Sequence, residues 1–428
     1  MVRRELIFLL LFPWSLFSLA AMPLPESGRN THEGVASCAT SVCHGKVSPD
    51  PSSTVWLNEY RIWLRQDYHS RAYKTLQTEQ SRAIARKLGL PAAHTAQVCL
   101  DCHADNVRND ARGRRFQISD GVGCEGCHGG AGQWLESHAE QGTSHADNLA
   151  AGMYPTEDPV ARARLCLSCH LGTENKFATH EIMGAGHPRL AFELETFTVN
   201  QPRHYEVDDD YRERKPAIGS VNMWLAGLAV TSLHSLELLQ EDWFTGPGLV
   251  PELSFYQCHA CHHPMSDLRW QAEADDLAPG TVRLNDGTLV VLAEVLNALE
   301  PGGGTVIAQG LVNLHRASQT DRKAVVASAR ALHEDIEPLA TRFAGRTFGN
   351  RELQQLRAGL LAKAKNGRFR HFTAAEQVFL AVETLSITLG DAERLSLPLD
   401  AWFKSVEEDD PFVPAQFAVL AGNLLEAL

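Results

Sequence analysis

Five pairs of cysteines, each followed directly by a histidine, are the residues of this sequence whose types and spacing could do chemistry. Four of the pairs enclose two residues, and the first encloses four. In chain order, motifs 1 to 5 are Cys38-Ala-Thr-Ser-Val-Cys43-His44, Cys99-Leu-Asp-Cys102-His103, Cys124-Glu-Gly-Cys127-His128, Cys166-Leu-Ser-Cys169-His170 and Cys258-His-Ala-Cys261-His262. The spacing C-x-x-C-H is the attachment signature of c-type haem, in which two thiols bond to the vinyl groups and the adjacent imidazole binds iron. The sequence therefore predicts five covalently attached haem c groups, with the ten cysteines as attachment points and the five motif histidines as iron ligands.

Other uses of paired cysteines fit this pattern less well. Structural zinc takes two such pairs per ion, so five pairs would leave one over, and zinc gives no reason for a histidine after each second cysteine. A thioredoxin-like motif lies beside a βαβ pattern, which this sequence lacks. For the wider pair, Cys38 and Cys43, a disulfide is the alternative, because the two extra residues must bulge in a haem-binding loop. His44 favours haem there too.

A second histidine on each iron would complete its coordination. The sequence has 19 histidines, and the motifs use five of them. The histidines predicted as second iron ligands are His32, His69, His138, His180 and His187. His69 lies in a helical stretch among aromatic and apolar residues, where an imidazole can meet iron while the aromatic rings cover the porphyrin. His138 follows a glycine-rich run after motif 3, His180 and His187 follow motif 4, and His32 precedes motif 1.

Three further histidines have other expected roles. His145 is the alternative to His138. His234 lies in a predicted helix over 222–239 and fits core packing better than iron binding. His204 lies in a charged loop and is expected to be solvated, with contact to iron or substrate as the second interpretation.

The N-terminus reads as an export signal over residues 1–21. Arg3 and Arg4 precede an apolar run that ends in the small-residue pattern Ser18-Leu19-Ala20. The alternative is an uncleaved N-terminal membrane anchor, but the run is short for a spanning helix and Pro13 interrupts it. We therefore expect a periplasmic protein.

Composition and the distribution of cysteines predict the domain organisation. The chain is 44% hydrophobic and 21% charged, which is ordinary for a soluble globular protein, and its net charge of −13 counts against a nucleic-acid binder. All cysteines lie between Cys38 and Cys261. We therefore predict a haem domain over 22–270 and a C-terminal helical bundle over 271–428.

The pattern of the elements predicts an all-α fold. No alternating strand pattern appears, and helices are expected near 287–300, 306–317, 321–341, 350–364 and 413–427. Thr373 and Glu376 predict a capping box at the start of a further helix that ends at Gly390. Motifs 2 to 4 lie within about seventy residues, too few to enclose each porphyrin separately, so the haems must pack against one another.

The motifs and their surroundings resemble the cytochrome c-554 family. The resemblance covers roughly residues 32–265 and rests on the Cys-His motifs, on Trp56, Tyr60, Trp63 and His69 between motifs 1 and 2, and on the sequence around motif 3 with His138. The family is related to the octahaem hydroxylamine oxidoreductases and pentahaem nitrite reductases. The resemblance implies a mostly helical fold, haems stacked in parallel and perpendicular pairs, electron transfer, and distal iron ligation by His69 and His138. This sequence departs from the four-haem archetype in its fifth motif, its widened first motif and its C-terminal bundle.

The expected function is electron relay between a redox protein donor and acceptor, so a carrier is favoured over an enzyme and no catalytic residue is assigned. The alternative is an oxidoreductase with one open haem that acts on a small nitrogen or sulfur compound. Its pocket would be lined by Arg203, His204, Tyr205 or Lys215. A third possibility is a subunit of a membrane-bound or periplasmic electron-transfer complex that docks through the C-terminal bundle.

Overall fold

The computed structural model describes residues 22–50, 55–246, 250–262, 277, 281–410 and 412–428. The predicted export signal lies outside these residues. Of these described residues, 59% lie in helices. The described residues form no strand and only two isolated bridges, between His32 and Arg112 and between Tyr256 and Leu284. The predicted all-α fold is confirmed.

Twenty α-helices lie in the described residues. They are α1 (Val35–Cys38), α2 (Glu59–Gln66), α3 (Ala72–Thr75), α4 (Glu79–Lys87), α5 (Gln97–His103), α6 (Cys124–His128), α7 (His145–Ala150), α8 (Pro159–His170), α9 (His180–Gly184), α10 (Leu194–Asn200), α11 (Asp209–Arg214), α12 (Ser220–Leu238), α13 (Asp242–Thr245), α14 (Gly287–Leu299), α15 (Thr305–Ser318), α16 (Arg322–Ala344), α17 (Asn350–Lys365), α18 (Phe372–Leu389), α19 (Ser396–Phe403) and α20 (Pro414–Ala427). Short 3-10 helices lie at Pro25–Ser27, Tyr68–Arg71, Ala93–Thr95, Asn109–Ala111, Ile118–Asp120, Ser137–Ala139, Leu253–Phe255 and Cys258–Ala260.

Three motifs are built into helices that end at the motif histidine. Motif 2 closes α5, motif 3 forms α6, and motif 4 closes α8. Residues i, i+3 and i+4 share one face of a helix, so this geometry brings both thiols and the imidazole of each motif to the same side. The start of α8 is well defined, because Asp158 caps it through the Ala161 N–H and Pro159 occupies its first position.

The centre of the molecule is α12. Fourteen of its 19 residues are buried, including Trp224, which has no exposed surface. A helix that is apolar on all sides belongs inside a core. It packs against α8 and α10 on one part of its surface and against α14, α16 and α18 on others. The helix that carries motif 4 therefore shares one hydrophobic core with the C-terminal helices, and the domain boundary at residue 270 stays a prediction.

Helix α18 differs in its start from the sequence prediction. His371 is the N-cap residue, so Thr373 lies inside the first turn, and the predicted capping box is wrong. Glu376 instead pairs with Arg189 at 3.2 Å. The helix ends as predicted at Gly390, which has φ of 76°. By length and composition α18 could cross a membrane, but 61% of it is buried inside the protein, as in a core helix.

Candidate haem sites

All ten motif cysteines are free thiols in this structure. Free thiols are what covalent attachment of haem requires, and Cys38 and Cys43 do not form the disulfide that was the alternative for motif 1. The cysteines of motifs 2, 3 and 4 are partly buried, whereas Cys43, Cys258 and Cys261 are exposed.

Every motif histidine lies opposite one second histidine. The pairs, with the distance between ring centroids, are His44 and His138 (6.1 Å), His103 and His187 (6.3 Å), His128 and His204 (6.1 Å), His170 and His69 (6.3 Å), and His262 and His180 (6.0 Å). With a metal–imidazole bond of about 2.0–2.1 Å and about 1.2 Å from ring centre to nitrogen, two imidazoles on opposite sides of one metal have centroids about 6.4 Å apart. The five pairs therefore fit the two axial positions of five haem irons.

Hydrogen bonds fix which nitrogen of each ring can face the iron. Five of the ten rings have Nδ1 within hydrogen-bonding distance of an oxygen. These contacts are His44 to Glu59 Oε2 (2.9 Å), His69 to Asp67 Oδ1 (2.8 Å), His103 to the Ala72 carbonyl (3.2 Å), His138 to the Trp134 carbonyl (3.0 Å) and His187 to the Pro188 carbonyl (2.8 Å). When Nδ1 donates in this way, Nε2 keeps its lone pair for the metal and the ring orientation is fixed.

Burial holds several of these rings in the neutral form that binds iron. Burial lowers the pKa of His128 to about 3 and that of His170 to about 4, and the neighbouring His204 and His69 add to these effects. Burial also lowers the pKa of His103. A neutral imidazole keeps one nitrogen lone pair free, whereas a protonated one has none, so these sites are prepared for metal binding.

Local structure positions His69 and His138. Asp67 caps the 3-10 helix Tyr68–Arg71 by accepting the His69 backbone N–H, and the same carboxylate oxygen accepts from the His69 ring. His138 lies in the 3-10 helix Ser137–Ala139. Trp134 packs edge-to-face on its ring with centroids 5.4 Å apart.

A buried carboxylate joins motif 1 to motif 3. Glu125, inside motif 3, accepts hydrogen bonds from the backbone N–H groups of Glu33, Gly34 and Ala131 at 2.6–2.7 Å. Glu33 and Gly34 directly precede α1, which leads into motif 1. The glutamate thus fixes the two attachment segments relative to each other.

Side-chain contacts give the spatial order of the motifs. Cys38 of motif 1 is a direct neighbour of Cys124 of motif 3, and Cys102 of motif 2 is a direct neighbour of Cys169 of motif 4. Cys127 of motif 3 lies close enough to Cys169 of motif 4 for the charge of a Cys169 thiolate to raise the pKa of Cys127.

The short helix α9 adds motif 5 to this order. It begins at His180, which faces motif 5, and it is followed closely by His187, which faces motif 2. Together these contacts give the order 1–3–4–2–5.

His32 does not take the role predicted for it. Its Nδ1 lies 2.8 Å from Asp105 and its Nε2 lies 3.2 Å from the Pro25 carbonyl. Both ring nitrogens are thus engaged and the residue is only 1% exposed. The geometry supports a structural role for His32 and no iron ligation.

His204 fills the remaining second-ligand position, which the sequence interpretation assigned to a solvated loop. It is half-buried, with Tyr205 in contact with its ring and Tyr211 stacked on Tyr205. His204 could have been predicted by elimination. Four other non-motif histidines have local reasons to bind iron, and a fifth iron would need one more histidine. His145 and His234 instead pair with Glu157 and Glu237.

Comparison with protein families matches part of the chain. Residues 37–129 match the family model described as cytochrome c554 and c-prime, a segment that includes His69 and motifs 1, 2 and 3. No curated protein and no solved structure matched the chain. The expected relation to hydroxylamine oxidoreductases stays a prediction. Through residues 37–129 the chain is similar to the cytochrome c554 family, and this similarity supports a multihaem cytochrome with covalently bound haem c.

Proposed function

We propose that this protein is a periplasmic pentahaem cytochrome c that relays electrons between two redox proteins. The observation that carries the proposal is that each of the five motif histidines has a second histidine ring 6.0–6.3 Å away. Two imidazoles on one iron leave no coordination position for a substrate. The same observation weighs against the alternative of an oxidoreductase with one open haem.

The residues of this chain have three tasks in such a relay. The cysteines would hold each porphyrin covalently, and the paired imidazoles would bind its iron. The hydrogen bonds to Nδ1 keep the rings in place, so little structural change accompanies a change of oxidation state. Bound haem supplies a one-electron couple at each site, whose potential depends on ligands, neighbouring hydrogen bonds and burial.

The order of the motifs supports a relay with two ends. Motifs 1 and 5 lie at opposite ends of the order 1–3–4–2–5, and the exposed cysteines belong to these two motifs, with Cys43 in one and Cys258 and Cys261 in the other. We infer that a donor and an acceptor dock near motifs 1 and 5. The net charge of −13 favours a basic docking patch on a partner through electrostatic steering.

Electron paramagnetic resonance of the fully oxidised protein, with a haem count on the same sample, tests the proposal. We expect five haems, all low-spin. Perpendicular imidazole planes give a low-spin signal with one very large g value, and parallel planes give an ordinary rhombic signal. The ring planes meet at 86–88° at motifs 2, 3 and 4 and at 13° at motif 1. At least three haems should therefore give signals with one very large g value, and one haem should give an ordinary rhombic signal.

Two results would contradict the proposal. A high-spin haem that shifts on addition of nitrite, hydroxylamine or sulfite would indicate a substrate-binding iron and favour the enzyme. A count of four haems would mean that one motif is not used, and motif 1 would be examined first. Location is tested separately, because an exported protein should be found in the periplasmic fraction without its first 21 residues.

A further inference from the structure

Two of the five histidine pairs differ from the others in the charge of the group behind the imidazole. Glu59 lies behind His44 at motif 1, and Asp67 lies behind His69, the partner of motif 4. We propose that Glu59 and Asp67 lower the reduction potentials of the haems at motifs 1 and 4 relative to the haem at motif 2. This inference rests on the proposed function and names how the relay sets its potentials.

The Asp67 carboxylate is held rigidly. Asp67 is 4% exposed, and its oxygens lie 2.8 Å from His69 Nδ1, 3.0 Å from the His69 backbone nitrogen and 3.0 Å from the Gln201 side-chain nitrogen. These three donors hold the buried carboxylate in a fixed position directly behind the His69 ring.

Glu59 is held in a similar way at the start of α2. Its Oε2 lies 2.9 Å from His44 Nδ1, and its Oε1 accepts the backbone N–H of Leu57 at 3.0 Å. Leu57 adopts φ of 58°, a left-handed conformation that is costly for a non-glycine residue, so the segment that holds Glu59 is conformationally constrained.

Motif 2 provides a comparison within the same molecule. Its two imidazoles, His103 and His187, have their Nδ1 atoms against the neutral carbonyl oxygens of Ala72 and Pro188. A carboxylate accepts the Nδ1 proton more strongly than a carbonyl, so it makes the imidazole a better electron donor to the metal. Stronger donation and a nearby negative charge both stabilise ferric over ferrous iron, which lowers the potential. In the order 1–3–4–2–5, the first and the third haem are then expected to have lower potentials than the fourth.

The variants Asp67→Asn and Glu59→Gln test this inference, because each removes the charge but keeps an oxygen that can accept from the imidazole. Potentials are measured by spectroelectrochemical titration and assigned to haems by the loss of individual EPR signals. Each variant should shift one midpoint potential in the positive direction while all five haems stay low-spin. Asp67→Glu restores the charge and should return the potential towards that of the wild type.

Asp105→Asn is the matched control. Asp105 makes the same 2.8 Å contact with Nδ1 of a buried histidine, but that histidine is His32, which faces no motif histidine. If the carboxylates act through the ligating imidazole, this variant should leave the potentials of the haems at motifs 1 and 4 unchanged.

Three outcomes would overturn the inference. Unchanged potentials in Asp67→Asn and Glu59→Gln would do so, and so would shifts of equal size in Asp105→Asn, because the effect would then be charge at a distance. If the motif 4 haem of Asp67→Asn becomes high-spin, the Asp67→Glu variant is used to test the inference instead. A low-spin haem near the wild-type potential in Asp67→Glu supports the inference, and a strongly shifted potential in that variant contradicts it. Failure of the proposed function itself would be recognised earlier, as a high-spin or missing haem in the wild type.

Discussion

At the scale of single residues, the difference between His204 and His32 shows what makes a histidine a ligand. Both lie in the described haem region and both are enclosed by protein. His32 has oxygen atoms at both ring nitrogens, whereas His204 has the ring of His128 opposite it at 6.1 Å. Position relative to a motif histidine, and not proximity in sequence to a motif, decides the role.

Replacing His204 by alanine should change the spin state of one haem. The iron at motif 3 would lose one axial imidazole, so we expect one of five low-spin ferric signals to become high-spin in the EPR spectrum. His32→Ala is the control. It removes a buried hydrogen-bonding group and should cost about 1–3 kcal/mol of stability, but all five haems should stay low-spin. A high-spin signal in His32→Ala would show that the assignment of the two histidines is reversed.

Asp286 predicts a pH-dependent contribution to stability. It is 1% exposed and pairs with Arg283 at 2.6 Å and with His315 at 2.9 Å. Burial would raise the pKa of Asp286, but the hydrogen bond from His315 and the charge of Arg283 hold it well below its ordinary value. Because the folded-state pKa is depressed, the stabilisation is present above the unfolded pKa of about 3.9 and is lost as the pH falls below it.

The variant Asp286→Asn should therefore lose about 3–5 kcal/mol of stability at neutral pH, since it removes the carboxylate that pairs with the buried Arg283 side chain. Denaturant unfolding of both proteins from pH 7 downwards measures the difference. The difference should narrow below about pH 4, because Asp286 of the unfolded wild-type chain then becomes protonated while the folded-state carboxylate, with its lower pKa, stays ionised. A difference that stays constant down to the lowest pH would show that charge is not its origin.

At the scale of elements, the long helices follow from sequence and the histidine pairs do not. The helices expected near 287–300, 321–341 and 413–427 correspond to α14, α16 and α20. Their apolar periodicity is a local property of consecutive residues, so the chain reveals it directly. The capping box at Thr373 failed because His371 begins the helix two residues earlier, which is the usual range of error for helix ends.

The second ligands could be predicted only in part, because each pair joins distant parts of the chain. His69 and His138 were predicted as ligands from their local surroundings. Their partners were not, since His69 faces His170 and His138 faces His44. No local pattern encodes a contact between residues about a hundred positions apart. Such a contact depends on how the short helices around the haems pack together.

Glycine at position 227 permits the close approach of α12 and α10. A Cβ atom placed there would lie 2.5 Å from the Cβ of Leu194. We expect Gly227→Ala to destabilise the protein by about 1–3 kcal/mol through overpacking, measured by denaturant unfolding.

Gly345→Ala, at the end of α16, is the control. Its Cβ would lie no closer than 3.7 Å to the Thr341 oxygen and its φ is −96°, so stability should change by less than about 0.5 kcal/mol. Equal losses of stability in Gly227→Ala and Gly345→Ala would show that the contact between α12 and α10 is not the cause.

At the scale of the whole molecule, helix α8, which carries motif 4, shares one core with the C-terminal helices, whereas α5, which carries motif 2, packs in a separate small cluster. Trp224 and Leu225 on α12 have no exposed surface, and they are covered by helices from both parts of the chain. The C-terminal helices therefore help to support α8, which ends in motif 4. A role for these helices in docking a partner, expected from the sequence, does not exclude this structural one.

Removal of residues 271–428 should consequently prevent folding of the haem region. The truncated chain would expose the apolar surface of α12 to water, at a cost of about 25 cal/mol for each Å². We expect it to be insoluble or degraded when expressed with the haem-attachment machinery. Soluble yield and haem content per chain are the measurements. A soluble truncated protein with all five haems would show that the haem region is an independent domain.

The histidine pairs also have a consequence for the topology of the chain. Under the proposed attachment of five haems, all ten cysteines would be committed to porphyrins, and none of them forms a disulfide between distant segments. Under the proposed ligation, iron makes those links instead. The pairs close overlapping loops from His44 to His138, from His69 to His170, from His103 to His187, from His128 to His204 and from His180 to His262. Each loop overlaps the next, so residues 44–262 become a continuously cross-linked chain. Cross-links that close long loops restrict the unfolded state most. Under the proposed ligation, the irons would therefore stabilise the fold in addition to acting as redox centres.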